Sequence, residues 1–80
     1  MMVDIRVPED LWLDDRQGVI VYWLYKDGAR VEAGKLIAEL MVEKAQLELF
    51  APASGCLQIF CEPEAVIDRG QVIGRIEPDD

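Results

Sequence analysis

Ala29-Arg30-Val31-Glu32-Ala33-Gly34-Lys35-Leu36-Ile37-Ala38-Glu39-Leu40 is repeated in outline, thirty-six positions later, by Ala65-Val66-Ile67-Asp68-Arg69-Gly70-Gln71-Val72-Ile73-Gly74-Arg75-Ile76. Identities are few (Ala29/Ala65, Gly34/Gly70, Ile37/Ile73), yet the apolar and turn positions correspond along the length. Taken alone, the stretch from Ala33 to Phe50 reads as a helix: Leu36, Ile37, Leu40, Met41, Lys44 and Leu47 follow helical spacing among good helix formers. The second copy decides against this, because Gly70 and Gly74 with β-branched Val72, Ile73 and Ile76 make a poor helix and a reasonable strand. A repeat weighs more than a local propensity, so both copies are predicted as strands.

Working outward, Ile20-Val21-Tyr22-Trp23-Leu24-Tyr25 lines up with Cys56-Leu57-Gln58-Ile59-Phe60-Cys61 at the same offset. Apolar runs at Val3 to Val7, Val19 to Tyr25, Leu36 to Val42, Gln46 to Phe50, Cys56 to Cys61 and Gln71 to Ile76 alternate with turn-forming segments. Short runs rich in Val, Ile, Tyr, Trp and Phe at regular spacing predict an all-β sandwich or barrel of two like halves. Eighty residues accommodate one such domain, spanning 1–80, and no second core. Trp23, Leu24, Tyr25, Ile59 and Phe60 are expected to fill the shared core, with Trp12 packing the polar, acidic loop Glu9 to Gln17 onto it. Gly34 and Gly70 are expected in paired turns of positive φ, where a β-branched replacement would destabilise the fold.

The composition excludes several function classes. Sixteen acidic against eight basic residues give a net charge of -8, which repels nucleic-acid backbones and anionic membrane surfaces. The chain has no His, Thr or Asn, and Ser54 is its one serine, so neither a Ser-His-Asp nor a Cys-His site can be assembled within it. Two cysteines fall short of a zinc site. On one strand Cys56 and Cys61 would stand roughly 16 Å apart, beyond the roughly 7 Å that a disulfide spans, so they are expected as buried or half-buried thiols in a reducing, cytosol-like compartment. Met1 to Arg6 carries acid early and lacks a long apolar stretch, predicting neither a secretory signal nor a spanning helix. Chemistry is therefore expected from an attached group or a partner.

Leu36 to Val42 and Gln46 to Phe50 form the arms of a predicted hairpin with its tip at Glu43-Lys44-Ala45, where a type I turn would serve. Lys26, Lys35 and Lys44 all fall in turns and are expected to be exposed. A turn lysine is ordinarily a solvated charge, but one held at a rigid tip beside an acid also suits covalent attachment, since its stem has reach and its backbone is fixed.

The run Val42-Glu43-Lys44-Ala45-Gln46-Leu47-Glu48-Leu49-Phe50-Ala51-Pro52-Ala53-Ser54-Gly55 resembles the lipoyl/biotinyl attachment domain, whose lipoyl form reads acid-Lys-Ala, an alternating strand, then Pro-x-x-Gly. Lys26 to Gly34 is similar to the family's Gly-Asp-x-Val-x-x-Gly turn and Val66 to Ile76 to its closing segment, so the resemblance runs from about Val3 to Ile76. It implies a flattened β-barrel, a barrel-sandwich hybrid of two antiparallel sheets with quasi-two-fold symmetry, with both termini at the end opposite the hairpin tip. It further implies lipoate joined by an amide to Lys44, with Glu43, Ala45 and Gly55 as the context recognised by a lipoyl-modifying enzyme. Biotin is the alternative cofactor, but biotinyl domains resemble Ala-Met-Lys-Met, whereas Glu43 and Ala45 flank this lysine. One departure stands out: Met41 occupies the place, three residues before the lysine, where the lipoyl pattern has Glu. An unmodified barrel-sandwich interaction module is the third reading.

The implied role is a non-catalytic, monomeric carrier. A lipoyl arm on Lys44 would be acylated by a thiamine-dependent decarboxylase, unloaded by an acyltransferase and reoxidised by dihydrolipoyl dehydrogenase in a 2-oxo acid dehydrogenase complex. Tethering raises the arm's effective concentration at each partner. The implied location is the cytoplasm, or the mitochondrial matrix for a eukaryotic fragment.

Overall fold

The computed structural model describes residues 1–10, 12 and 16–79. Eight strands and no helix occur among them: β1 (Val3–Arg6), β2 (Gly18–Trp23), β3 (Arg30–Val31), β4 (Leu36–Val42), β5 (Ala45–Phe50), β6 (Gly55–Ile59), β7 (Val66–Ile67) and β8 (Val72–Pro78). They form two four-stranded antiparallel sheets, ordered β1-β8-β6-β3 and β5-β4-β2-β7. The sheets make a flattened sandwich, not a closed barrel. In β4, Leu40 and Val42 are buried while Glu39 and Met41 face outward, which is strand periodicity where local propensity suggested a helix. Burying that face against the second sheet overrides the intrinsic helix preference of Ala, Glu and Leu.

The two halves of the chain superpose in their pairing. β4 pairs with β5 as β8 pairs with β1: Leu40↔Leu47 corresponds to Val3↔Ile76, and Glu39↔Glu48 to Asp4↔Arg75. Hydrogen bonds repeat too, with Ala51 N–H donating to Lys35 O (2.9 Å) and Val7 N–H to Gln71 O (2.9 Å). Gly34 and Gly70 stand at φ 84° and 78°, as expected for paired turns, and Gly28 at 90° is matched by Glu64 at 74°.

The uniform offset of thirty-six needs one correction. Ile20 pairs with Leu40 but Tyr22 pairs with Glu39, so Val21 is an extra, bulged residue. In β6, Leu57 and Gln58 pair with Ile76 and Arg75 without interruption. Tyr22 and Trp23 therefore match Gln58 and Ile59, whereas Gly18, Val19 and Ile20 match Gly55, Cys56 and Leu57, one step further along. Ile20 and Leu57, equivalent in this register, are both fully buried.

Ile5, Val7, Ile20, Val31, Ile37, Leu40, Leu57, Ile67, Ile73 and Ile76 form the sealed core. Trp23, Tyr25 and Ile59 pack on it, and Trp12 is buried as expected. Leu24 and Phe60 do not join it: they are 42% and 50% exposed. β2 and β6 end at the preceding residues, where the chain leaves each sheet to cross to the other, and Phe60 instead lies 5.3 Å from the Arg75 guanidinium. Cys56 and Cys61 are free and half-buried.

Candidate functional site

The β4–β5 hairpin forms one end of the molecule. Val42 pairs with Ala45, leaving Glu43 and Lys44 as a two-residue connection, so Ala45 is the first residue of β5 and not part of the tip. Glu43 has φ 55°, which excludes the expected type I turn, since that turn needs negative φ at both central residues. Two-residue hairpin loops favour turns with positive φ because these match strand twist, and Glu43 meets that demand without being Gly or Asn. The result is an exposed Lys44 at the apex.

The apex is braced from beneath. Val42 and Trp12 are buried, and a Cβ at Gly18 would meet Val42 Cγ2 at 3.2 Å, Met41 O at 3.3 Å and Trp12 Cη2 at 3.3 Å. Arg16 Nη1 forms an ion pair with Glu43 at 2.6 Å, between side chains that are both more than half exposed. The described part of the loop between β1 and β2 is fastened at several points. Trp12 Nε1 donates to Arg16 O (2.8 Å), Gln17 Nε2 donates to Asp68 Oδ1 (3.0 Å), and Arg69 Nη1 donates to Glu9 O (3.2 Å) and Trp12 O (3.3 Å). Glu9, Arg16, Asp68 and Arg69 line a polar hollow of about 490 Å³ beside the hairpin. Arg69, Gln17 and Asp68 were not singled out from sequence. The available signal was length: residues 7–17 connect β1 to β2 where 51–54 suffice in the matching half, and an insertion of that size needs anchors.

Of the sequence-derived site residues, Glu43, Lys44 and Ala45 lie together. Gly55 does not join them. It pairs with Val31 and Pro78, near Ser54, whose carbonyl accepts from Asp79 N–H (3.1 Å) and whose hydroxyl accepts from Ala33 N–H (2.8 Å). That is the foot of the hairpin, about 20 Å from the tip for a seven-residue strand at about 3.3 Å per residue. The structure gives Gly55 a local reason: a Cβ there would stand 2.0 Å from Glu77 O. Met41 faces outward on β4, half-buried between Val19 and Gln46. Among the described residues no cluster of potential metal ligands occurs. Of the acidic loop Glu9 to Gln17, Leu11 and 13–15 lie outside the described residues.

The outer faces of the two sheets differ. Tyr22, Glu39 and Glu48 run across one, and both acids raise the Tyr22 phenol above its ordinary value, after the leading effect of lost hydration. At the equivalent places on the other sheet stand Gln58, Arg75 and Asp4, with Arg75 Nε donating to Gln58 Oε1 at 3.1 Å. Carboxylates crowd the hairpin's own sheet, whereas charges alternate on the other.

Comparison with known proteins gives a consistent result. A model of the Biotin_lipoyl family, described as "Biotin-requiring enzyme", matches residues 3–76. The dihydrolipoyllysine-residue succinyltransferase component of the 2-oxoglutarate dehydrogenase complex of Bacillus subtilis is 37% identical over 76 residues, covering 94% of this chain and 18% of that protein. Mitochondrial acetyl-CoA carboxylase of Saccharomyces cerevisiae is 32% identical over 62 residues, covering 78% of this chain and 3% of that protein. The chain thus spans less than a fifth of either curated relative. The solution structure of the lipoyl domain of the 2-oxoglutarate dehydrogenase complex from Azotobacter vinelandii superposes with a TM-score of 0.77 at 23% identity, covering 98% of this chain and 99% of that one, which shows a shared fold.

Proposed function

We propose, from the premise that this chain belongs to the Biotin_lipoyl family, that it is a lipoyl carrier whose attachment point is Lys44. The observation that carries this is the placement of Lys44: an exposed amine at the apex of a two-residue turn, at the end of the molecule opposite both described termini. The cofactor is lipoate, held by an amide between its carboxyl group and the lysine Nζ, and the protein's part is to present and tether it. A lipoyl-modifying enzyme loads the arm. A thiamine-dependent decarboxylase, an acyltransferase and dihydrolipoyl dehydrogenase then use it in turn, within a 2-oxo acid dehydrogenase complex. The domain itself is non-catalytic. Ala45, paired into β5, and Glu43, held by Arg16, fix the local backbone that the modifying enzyme meets. Gly55 contributes by keeping the foot of the hairpin closed.

Biotin is the second reading, favoured by the similarity to the yeast carboxylase. It ranks below lipoate because Lys44 lacks the flanking methionines of the biotinyl pattern. The two half-buried free thiols are in keeping with a reducing location, the cytoplasm or the mitochondrial matrix.

Intact-mass measurement after co-expression with lipoyl and biotin ligases tests both. The expected result is a lipoyl-sized increment that maps to Lys44 and disappears in Lys44→Arg, with the thermal midpoint unchanged because the side chain is exposed. A biotin-sized increment would select the second reading, and an unmodified mass with saturating ligase would leave a fold kept for binding alone.

A further inference from the structure

A second site lies away from the hairpin tip. Tyr22, Trp23, Tyr25, Ile59 and Pro63 wall a groove of about 390 Å³, with the carboxylates of Asp27 and Glu62 among its lining. It opens where the two crossovers, 24–29 and 60–65, pass between the sheets, so both halves of the chain contribute.

The internal symmetry supplies a control for what the fold alone requires. Tyr22, Trp23 and Tyr25 correspond to Gln58, Ile59 and Cys61, which satisfy the same backbone positions with no aromatic ring. Trp23 and Tyr25 also pack on the core, whereas Tyr22 is exposed, so its ring serves the groove and not the core. Trp23 is held in place by its Nε1–H donating to Cys61 O (2.9 Å), and Asp27 by Oδ1 accepting from Ile59 N–H (2.8 Å), so ring and carboxylate are both oriented before any ligand arrives. Tyr22 continues into the Glu39 and Glu48 row on the outer face, which extends the negative potential beyond the rim. Aromatic faces beside fixed carboxylates complement a planar, weakly hydrated cation.

We infer that this groove is a docking site for an arginine side chain on a partner polypeptide, separate from Lys44 and used whether or not that lysine is loaded. The charge match calls for a cation, since the net charge is -8 and the rim carries two acids, and the ring-lined walls favour a planar guanidinium over a compact ammonium.

The test is a titration of the full isotope-labelled chain with the amidated peptide acetyl-Gly-Arg-Gly, followed by the Trp23 indole N–H and the Asp27 backbone resonances. Saturable shifts at both are expected, with the citrulline peptide, neutral but of the same shape, causing none. Glu62→Gln removes one rim charge at an exposed position. Tyr22→Gln installs what the equivalent strand already carries at Gln58, so both variants should fold. Each should weaken binding by about threefold and the pair by about tenfold. Lipoylation of Lys44 in the double variant should be unchanged, which separates failure here from failure of the carrier assignment. Shifts that do not saturate, equal binding of the citrulline peptide, or undiminished affinity in the double variant would overturn the inference.

Discussion

Met41 is the residue at which the proposed modification of Lys44 is most directly tested. It faces outward near the end of β4, three positions before the lysine, where the lipoyl pattern has Glu. Because its cross-strand neighbours are Val19 and Gln46, a carboxylate placed there meets no acid directly opposite it. Met41→Glu is expected to speed lipoylation severalfold at unchanged thermal midpoint, as measured by a time course of intact mass. Two glycines separate steric from conformational cost. At Gly55 a Cβ would overlap backbone atoms of Glu77 and Pro78, so Gly55→Ala should cost about 3 kcal/mol or more, lowering the melting temperature by about 12 °C or more. At Gly34 there is open space and φ 84°, so Gly34→Ala should cost only about 1 kcal/mol, through the left-handed backbone alone. Denaturant melts of the two variants side by side check the difference. Tyr22 gives a pH signature. Its phenol is raised in the folded state, so the folded chain holds that proton more tightly, and stability is lost as pH rises from the unfolded phenol value of 10.0 through the folded one. Tyr22→Phe should flatten the alkaline limb of a stability-versus-pH curve.

Between elements, the β1–β2 connection braces the hairpin through buried contacts more than through its visible ion pair. Arg16 and Glu43 are both more than half exposed, so Arg16→Ala should shift stability by less than about 1 kcal/mol. Trp12, buried against Gly18 and Val42, is different: Trp12→Ala should cost about 3 kcal/mol in denaturant melts and broaden the hairpin resonances. This difference bears on what a sequence can show. The long strands were legible because their apolar residues recur and a second copy corroborates the first. β3 and β7 were not, since two residues carry no periodicity, and the Val21 bulge was not, since a single insertion hides inside an apolar run. The turn at Glu43 was misjudged because strand twist, a property of the assembled sheet, selects its backbone geometry. Leu24 and Phe60 were misplaced because hydrophobicity says nothing of where a strand stops.

At the scale of the molecule, two-fold repetition builds a sandwich of 38 × 20 × 18 Å with its two ends made alike and then specialised. One end carries the hairpin apex and the long β1–β2 connection. The other carries the first and last strands side by side, Val3 beside Ile76, with Arg30 paired to both Glu32 and Asp79. The place of Lys44 at an exposed hairpin tip was legible from the order of motifs. The separation of Gly55 from it was not, because eleven residues of sequence conceal a full strand length of travel away from the tip. Placing the first and last strands at the foot has a mechanical consequence. Any pivot of the body about that foot would make it a lever, carrying Lys44 through an arc whose radius approaches the 38 Å long axis, so the rigid sandwich itself would supply reach.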